Sequence, residues 1–193
     1  MNKIDYGYYD IELGNYNIVS VVEDITMSVL EYIKNKGIEL IFDTDTEEEV
    51  IACDPDKIER IILNLLSNAI KYTRPDGKII VNINSDKENV YISVKDTGIG
   101  MPKQKLNKIF NRYEQIDNKL TKSFNGSGIG LSLVKSLVEM HKGKITVESK
   151  ENEGSKFTIT LPKKRINNEH IKNTNLTKSR VEKCNIEFSD IYN

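Results

Sequence analysis

Three short stretches of this chain carry side chains whose types and spacing suit the handling of a phosphorylated ligand. The first is Asn64-Leu65-Leu66-Ser67-Asn68-Ala69-Ile70-Lys71-Tyr72. On a helix, Asn64 and Asn68 fall on one face, with Lys71 one turn further along. Asparagine is a mediocre helix former, so two of them on one face need a reason. Its neutral carbonyl oxygen is a hard ligand of the kind Mg²⁺ accepts, since that ion keeps most of its waters and takes few protein ligands. Lys71 can neutralise phosphate. The second stretch is Asp96-Thr97-Gly98-Ile99-Gly100, directly after a predicted strand. Two glycines let backbone approach a planar ligand closely, and an ionised Asp is acceptor-only, suited to an adenine amino group. The third is Gly126-Ser127-Gly128-Ile129-Gly130-Leu131-Ser132-Leu133. Alternate glycines opening a helix expose amides where the dipole favours anions. Taken singly, each stretch also suits an ordinary element: a solvated helix face, a strand-end turn, a helix entry.

The elements that must position these residues are legible from periodicity. Ile18, Val21, Val22, Ile25, Val29 and Ile33 recur at helical spacing over residues 17–36, with Gly37 as the stop. Residues 38–42 and 50–53 read as strands joined by an acidic turn. Asp54-Pro55 opens a helix with a capping carboxylate and a proline at the first position; it runs through Ile58, Ile61, Ile62, Leu65, Leu66 and Ala69 and ends before Arg74-Pro75. Strands over 78–84 and 90–94 form a hairpin begun by Asp76-Gly77. Residues 98–125 are a long polar segment whose length, against ordinary connections of about 4–6 residues, marks a functional loop. A helix over about 127–140 precedes a last hairpin, 144–149 and 156–161, with Gly154 at its turn. The order α-β-β-α-β-β-loop-α-β-β predicts an α+β two-layer sandwich, a mixed β-sheet with helices on one face. Beyond Pro162 the composition turns to Asn, Lys, Thr and Glu, and residues 163–193 are expected to be a disordered tail.

In this order the three stretches resemble the N, G1 and G2 boxes of the ATP-binding catalytic domain of sensor histidine kinases, within the superfamily shared with gyrase, Hsp90 chaperones and mismatch-repair ATPases. Phe110-Asn111-Arg112-Tyr113 looks like the family's F box, with Phe110 and Tyr113 expected as core or lid anchors. The resemblance spans about residues 18–162 and implies a Bergerat-type ATP-binding fold with a lid near 116–125. Carried over by position, it implies that Asn68 ligates Mg²⁺, Asn64 lies near the phosphates, Lys71 contacts phosphate and Tyr72 packs near ribose or adenine. It implies that Asp96 binds the adenine amino group and that Gly98 and Gly100 shape that pocket. Gly126, Gly128, Gly130 and Leu131 would close over the phosphates, and Lys122 would be a basic lid residue facing the γ-phosphate.

Asn64 separates subclasses. The superfamily's hydrolases and serine kinases have a glutamate there, able to serve as general base; an asparagine cannot take a proton at neutral pH. An imidazole acceptor needs no such base, which favours phosphoryl transfer to histidine over an ATPase or a serine kinase; a non-catalytic ATP-binding or interaction module is the alternative reading. The acceptor itself is expected elsewhere. Only two histidines occur: His141, read as a cation at a helix C-terminal end, and His170 in the polar tail. Lys3-Ile4-Asp5-Tyr6-Gly7 looks like the exit of a missing dimerisation domain, so residues 1–16 read as a linker remnant and 17–162 as the catalytic domain. The implied partners are a histidine-bearing dimerisation domain, in trans or in a longer parent chain, and downstream a response regulator receiver domain.

Composition narrows the remaining classes. A formal net charge of -1 over 193 residues gives no reason to expect nucleic-acid binding. No apolar run approaches the ~20 residues of a membrane span, and no apolar signal core opens the chain, so a cytoplasmic segment without membrane contact is expected. Cys53 and Cys184 have no metal-ligand spacing and read as free thiols.

Overall fold

The computed structural model describes residues 10–111, 130–167 and 170–172. Lys122, Gly126, Gly128, Arg112, Tyr113, Cys184, the expected lid at 116–125 and the expected linker remnant before residue 10 lie outside the described residues. The elements are β1 (Gly14–Asn17), α1 (Ile18–Ser28), α2 (Leu30–Lys34), β2 (Glu39–Thr44), β3 (Val50–Cys53), α3 (Pro55–Tyr72), β4 (Lys78–Ser85), β5 (Asn89–Asp96), a short 3-10 turn (Lys103–Lys105), α4 (Gly130–Met140), β6 (Lys144–Lys150) and β7 (Gly154–Pro162). A five-stranded sheet of order β2-β4-β5-β7-β6 forms one layer. Within it β2 runs parallel to β4 and the other neighbours are antiparallel.

Strand side chains alternate between faces, and the inward phase is apolar. Cross-strand register aligns Val81, Val94, Phe157 and Val147 in one row and Ile83, Ile92, Ile159 and Ile145 in the next. These rows meet the buried stripe of α3 (Ile58, Ile61, Ile62, Leu65, Leu66, Ala69 and Ile70) and Val134, Leu137 and Val138 of α4. No described helix is long and apolar enough to cross a membrane.

Two expectations are corrected, and one is extended. The helix over 17–36 is two helices, broken at Val29 with φ -96 and ψ 1. The Thr26 hydroxyl donates to the Val22 carbonyl at 2.7 Å and that of Ser28 to the Ile25 carbonyl at 2.6 Å, a back-bonding that bends helices. The two short strands either side of the acidic turn enter different sheets: β2 joins β4, whereas β3 pairs with β1, a strand that periodicity does not reveal. The third concerns the tail, whose first part is tied to the fold. The Lys164 carbonyl accepts the Ala52 N–H of β3 at 2.7 Å. The Asn15 side chain, buried, grips Ile166 through both amide atoms at 2.9 and 2.8 Å. The Lys172 N–H then donates to the Asn15 carbonyl at 2.8 Å. Composition misjudges such a segment because hydrogen bonds from backbone and side chains, not apolar burial, hold it in place.

The joint between α3 and α4 is polar. Asp54 caps α3, its Oδ1 accepting the Asp56 and Lys57 N–H groups at 3.1 and 3.2 Å. Its own N–H donates to Nε2 of His141 at 3.1 Å, while Nδ1 of His141 donates to the Leu137 carbonyl at 2.8 Å. The neutral Nδ1–H tautomer satisfies both bonds. His141 is therefore a buried neutral connector rather than the helix-end cation expected above. Burial pushes its pKa below the usual histidine value, partly offset by the Leu137 carbonyl and Asp54.

Below the unfolded histidine value of about 6.5 the unfolded chain binds a proton that folded His141 refuses, so its contribution to stability is lost as pH falls from there through the folded value. In thermal melts from pH 7.5 to 5, the wild type should lose stability toward acid more steeply than His141→Ala. That variant should be less stable at neutral pH by about 1–3 kcal/mol, because the buried Asp54 N–H loses its acceptor. Parallel profiles for the two proteins would refute the neutral connector.

Candidate functional site

Helix α3 carries the first cluster on its half-exposed side, opposite the core stripe. Asn68 Nδ2 donates to Asn64 Oδ1 at 3.4 Å, a bond that uses the amide nitrogen of Asn68 and spares its carbonyl oxygen as an acceptor. The start of α4 seats directly on this pair: a Cβ built on Gly130 would lie 2.6 Å from Asn64 Nδ2 and 2.9 Å from Oδ1. Glycine at this position thus brings the start of α4, the end where the helix dipole places partial positive charge, against the Asn64 amide. Leu131, the next residue, packs on the core. At the far end of α3, Lys71 Nζ sits 5.7 Å from the Tyr72 ring centroid, within cation–π range. Burial, and after it the charge of Lys71, lowers the pKa of Lys36. The pKa of the Tyr72 phenol is pushed up by burial.

The second cluster docks on that same helix end through backbone. The Ile99 N–H donates to the Tyr72 carbonyl at 3.2 Å, and any Cβ on Gly98 would overlap that carbonyl oxygen. Gly100 has φ +63 and its missing Cβ makes room for the Lys150 carbonyl. Asp96, the last residue of β5, is only 6% exposed. Its Oδ1 accepts the N–H groups of Gly98 at 2.8 Å and Ser155 at 3.3 Å. Burial raises the Asp96 pKa, and the two amides pull it back toward the ionised form.

Asn64 and Tyr72 are eight residues apart, so the two ends of the site are separated by about 12 Å along α3. One end offers amide carbonyls and a helix N-terminus; the other offers a buried carboxylate and a glycine loop. That is the layout of a site for an elongated ligand with an anionic end and a hydrogen-bonding planar end. Among the described residues no group of three or more His, Cys, Asp or Glu could hold a metal. A cation held here would depend on a neutral oxygen such as Asn68 Oδ1 together with oxygens of the ligand itself, a donor set that fits Mg²⁺. Phe110 packs edge-on against Phe157 with ring centroids 6.5 Å apart, in keeping with its expected anchoring part. Ser149 at the end of β6 and Ser155 at the start of β7 lie beside Asp96 and the loop that follows it, and strand register rather than local sequence marks them.

The model of the histidine kinase-, DNA gyrase B- and HSP90-like ATPases matches residues 53–165, more than half of the chain. The chain belongs to this family. It is 36% identical over 163 residues to histidine kinase P4 of Formosa agariphila, covering 83% of this chain and 12% of that protein. It is 37% identical over 168 residues to the sensor histidine kinase WalK of Bacillus subtilis, covering 85% of this chain and 27% of WalK. The chain thus spans under a third of the length of these relatives. The catalytic domain of histidine kinase ThkA superposes with a TM-score of 0.71 at 28% identity, covering 79% of this chain and 99% of that one. The chain carries a sensor histidine kinase ATP-binding catalytic domain, and its fold is the α/β sandwich of that superfamily.

Gly98→Ala should tell whether the loop after β5 depends on its backbone contact with α3. Overpacking of this kind costs about 1–3 kcal/mol, so the variant should melt lower and bind a fluorescent ATP analogue more weakly. An unchanged affinity would mean that the loop can leave Tyr72 without consequence for the nucleotide.

Proposed function

We infer that this domain binds Mg-ATP and transfers the γ-phosphoryl group to a histidine on a dimerisation domain, supplied in trans or by a longer parent chain. The observation that carries the reading is Asn64. It stands 3.4 Å from Asn68 and beside the start of α4, where a carboxylate would be placed to deprotonate water. An amide cannot serve as general base, whereas a neutral imidazole nitrogen attacks phosphorus with its own lone pair. In such a transfer the new N–P bond forms as the bond between the γ-phosphorus and the β–γ bridging oxygen breaks, and ADP departs. His141 is an unsuitable acceptor, because both ring nitrogens are engaged in a buried joint.

The protein's share of the work is positioning and charge neutralisation, since phosphoryl transfer offers it little covalent chemistry. Asn68 Oδ1 would hold Mg²⁺, which would supply positive charge to offset that of the phosphates. Asn64 and Lys71 would face the phosphates, as would Lys122 from the lid. Asp96 would accept a hydrogen bond from the adenine amino group, Gly98 and Gly100 would admit the base, and Tyr72 would pack beside base or ribose. Gly126, Gly128, Gly130 and Leu131 would close over the phosphates. A response regulator receiver domain is the downstream partner this reading calls for.

Incubation with γ-labelled Mg-ATP tests the reaction. With a histidine-bearing dimerisation domain added, label should move to that domain with little free phosphate; steady phosphate release without any acceptor would replace the kinase reading with a hydrolase. Asn68→Ala should abolish the Mg²⁺-dependent part of ATP binding, and an unchanged affinity removes Asn68 as the ligand. Hydrogen bonds to charged groups are worth about 1.5–3 kcal/mol, so Asp96→Asn should reduce the preference for ATP over GTP by about tenfold or more. Equal discrimination in both proteins would show that the base is read elsewhere.

A further inference from the structure

The base end of the site contains a polar row that the core pattern does not account for. On β5 the inward phase runs from Val90 through Ile92 and Val94 to Asp96. On β7 it runs from Ser155 through Phe157 and Ile159 to Leu161, and on β6 from Ile145 through Val147 to Ser149. Register brings the three exceptions together: Asp96 pairs with Ser155, and Ser155 with Ser149. Three strands therefore turn polar at the same end, on the face that elsewhere packs the helices.

The Ser149 hydroxyl is heavily used there. It accepts the Met101 N–H at 2.8 Å and donates to the Gly154 carbonyl at 2.8 Å. Its oxygen also lies 3.0 Å from the Ser155 hydroxyl, which must be the donor in that pair because the single Ser149 proton is already committed. The loop from Gly98 to Met101 is thus fastened at both ends, Gly98 N–H to Asp96 Oδ1 and Met101 N–H to Ser149. Ser155 closes the circuit by donating its N–H to Asp96 Oδ1 at 3.3 Å. Asn152 adds a tie from the turn, its N–H meeting the Ile99 carbonyl at 2.7 Å. With two amides on Oδ1, Oδ2 is the carboxylate oxygen left to accept from a ligand.

We propose, building on the nucleotide-binding reading above, that Ser149 is a positioning residue for base selection: it fixes the loop after β5 and the start of β7 so that Asp96 presents Oδ2 to the purine amino group. Ser149 touches no nucleotide in this role; it acts through Met101, Gly154 and Ser155.

The test compares the wild type with Ser149→Ala and Ser149→Thr, titrating each with Mg-ATP and with Mg-ITP, whose base has a carbonyl in place of the amino group. Amide exchange at Met101 is followed in the ligand-free proteins. S149A should exchange the Met101 amide faster and lose at least about fivefold of its ATP-over-ITP preference, the scale of one hydrogen bond. S149T, which keeps the hydroxyl, should restore both. Should S149A unfold, Ser149→Cys, of similar size and weaker in hydrogen bonding, carries the same comparison. Equal loss of ATP and ITP affinity, or an unchanged preference despite faster Met101 exchange, marks a merely structural serine and overturns the proposal. A wild type that binds ATP but does not distinguish it from ITP overturns the Asp96 base reading and this inference with it, while one that binds neither overturns the nucleotide reading.

Discussion

The site depends on a backbone-to-backbone joint between the end of α3 and the loop after β5. The Ile99 N–H meets the Tyr72 carbonyl at 3.2 Å, a contact possible only because Gly98 presents no side chain to that carbonyl. Helix α3 brings the amide pair and the lysine; β5 brings the carboxylate. Neither element alone specifies a ligand, and the joint sets their separation along the helix axis. Because α3 is also the element against which α1, α4 and the sheet pack, this spacing is inherited from the core. A core side chain of α3 that shifted along its axis would change the distance between the two ends of the site.

The amino-acid sequence disclosed the parts whose periodicity is internal to one element. The apolar stripe of α3, its Asp54-Pro55 entry and its end before Arg74-Pro75 follow from local rules, and Asp54 does accept the two amides that a capping residue should. The hairpin of β4 and β5 and that of β6 and β7 were legible from alternation and turn residues. What escaped was whatever depends on partners distant in sequence. Strand β1 is four residues long and is defined only by its pairing with β3. His141 looked like a helix-end cation, since nothing local announces that Asp54, far upstream, donates to it. The first part of the tail is held by Asn15 and by β3, and neither tie can be read from composition.

The polar row at the base end was only partly legible. The alternations Ile145-x-Val147-x-Ser149, Ser155-x-Phe157-x-Ile159 and Ile92-x-Val94-x-Asp96 each show an inward phase turning polar. A single such change at a strand end is ordinary. Only the register, which places the three changes in one row, distinguishes a joined polar row from three frayed strand ends. Asp96 is marked by the glycines that follow it, whereas Ser149 has no glycine beside it and the Gly154 before Ser155 reads only as a turn.

On the proposed reading, Asp96 also links ligand recognition to folding. A carboxyl whose pKa is raised by burial holds its proton more tightly in the folded than in the unfolded chain. The stability it lends is present below the ordinary carboxyl range and is lost as pH rises through the folded value. The ionised form is therefore carried at a cost to the ligand-free protein, which the amides of Gly98 and Ser155 offset in part. On the proposed reading, a purine amino group supplies the next donor to that same carboxylate. The base would then bind most strongly where the empty site is least comfortable, and a guanine or hypoxanthine carbonyl, bringing a second acceptor to an acceptor-only group, would meet repulsion. Selectivity for adenine would then draw on the carboxylate's unfavourable burial as well as on the hydrogen bond that relieves it.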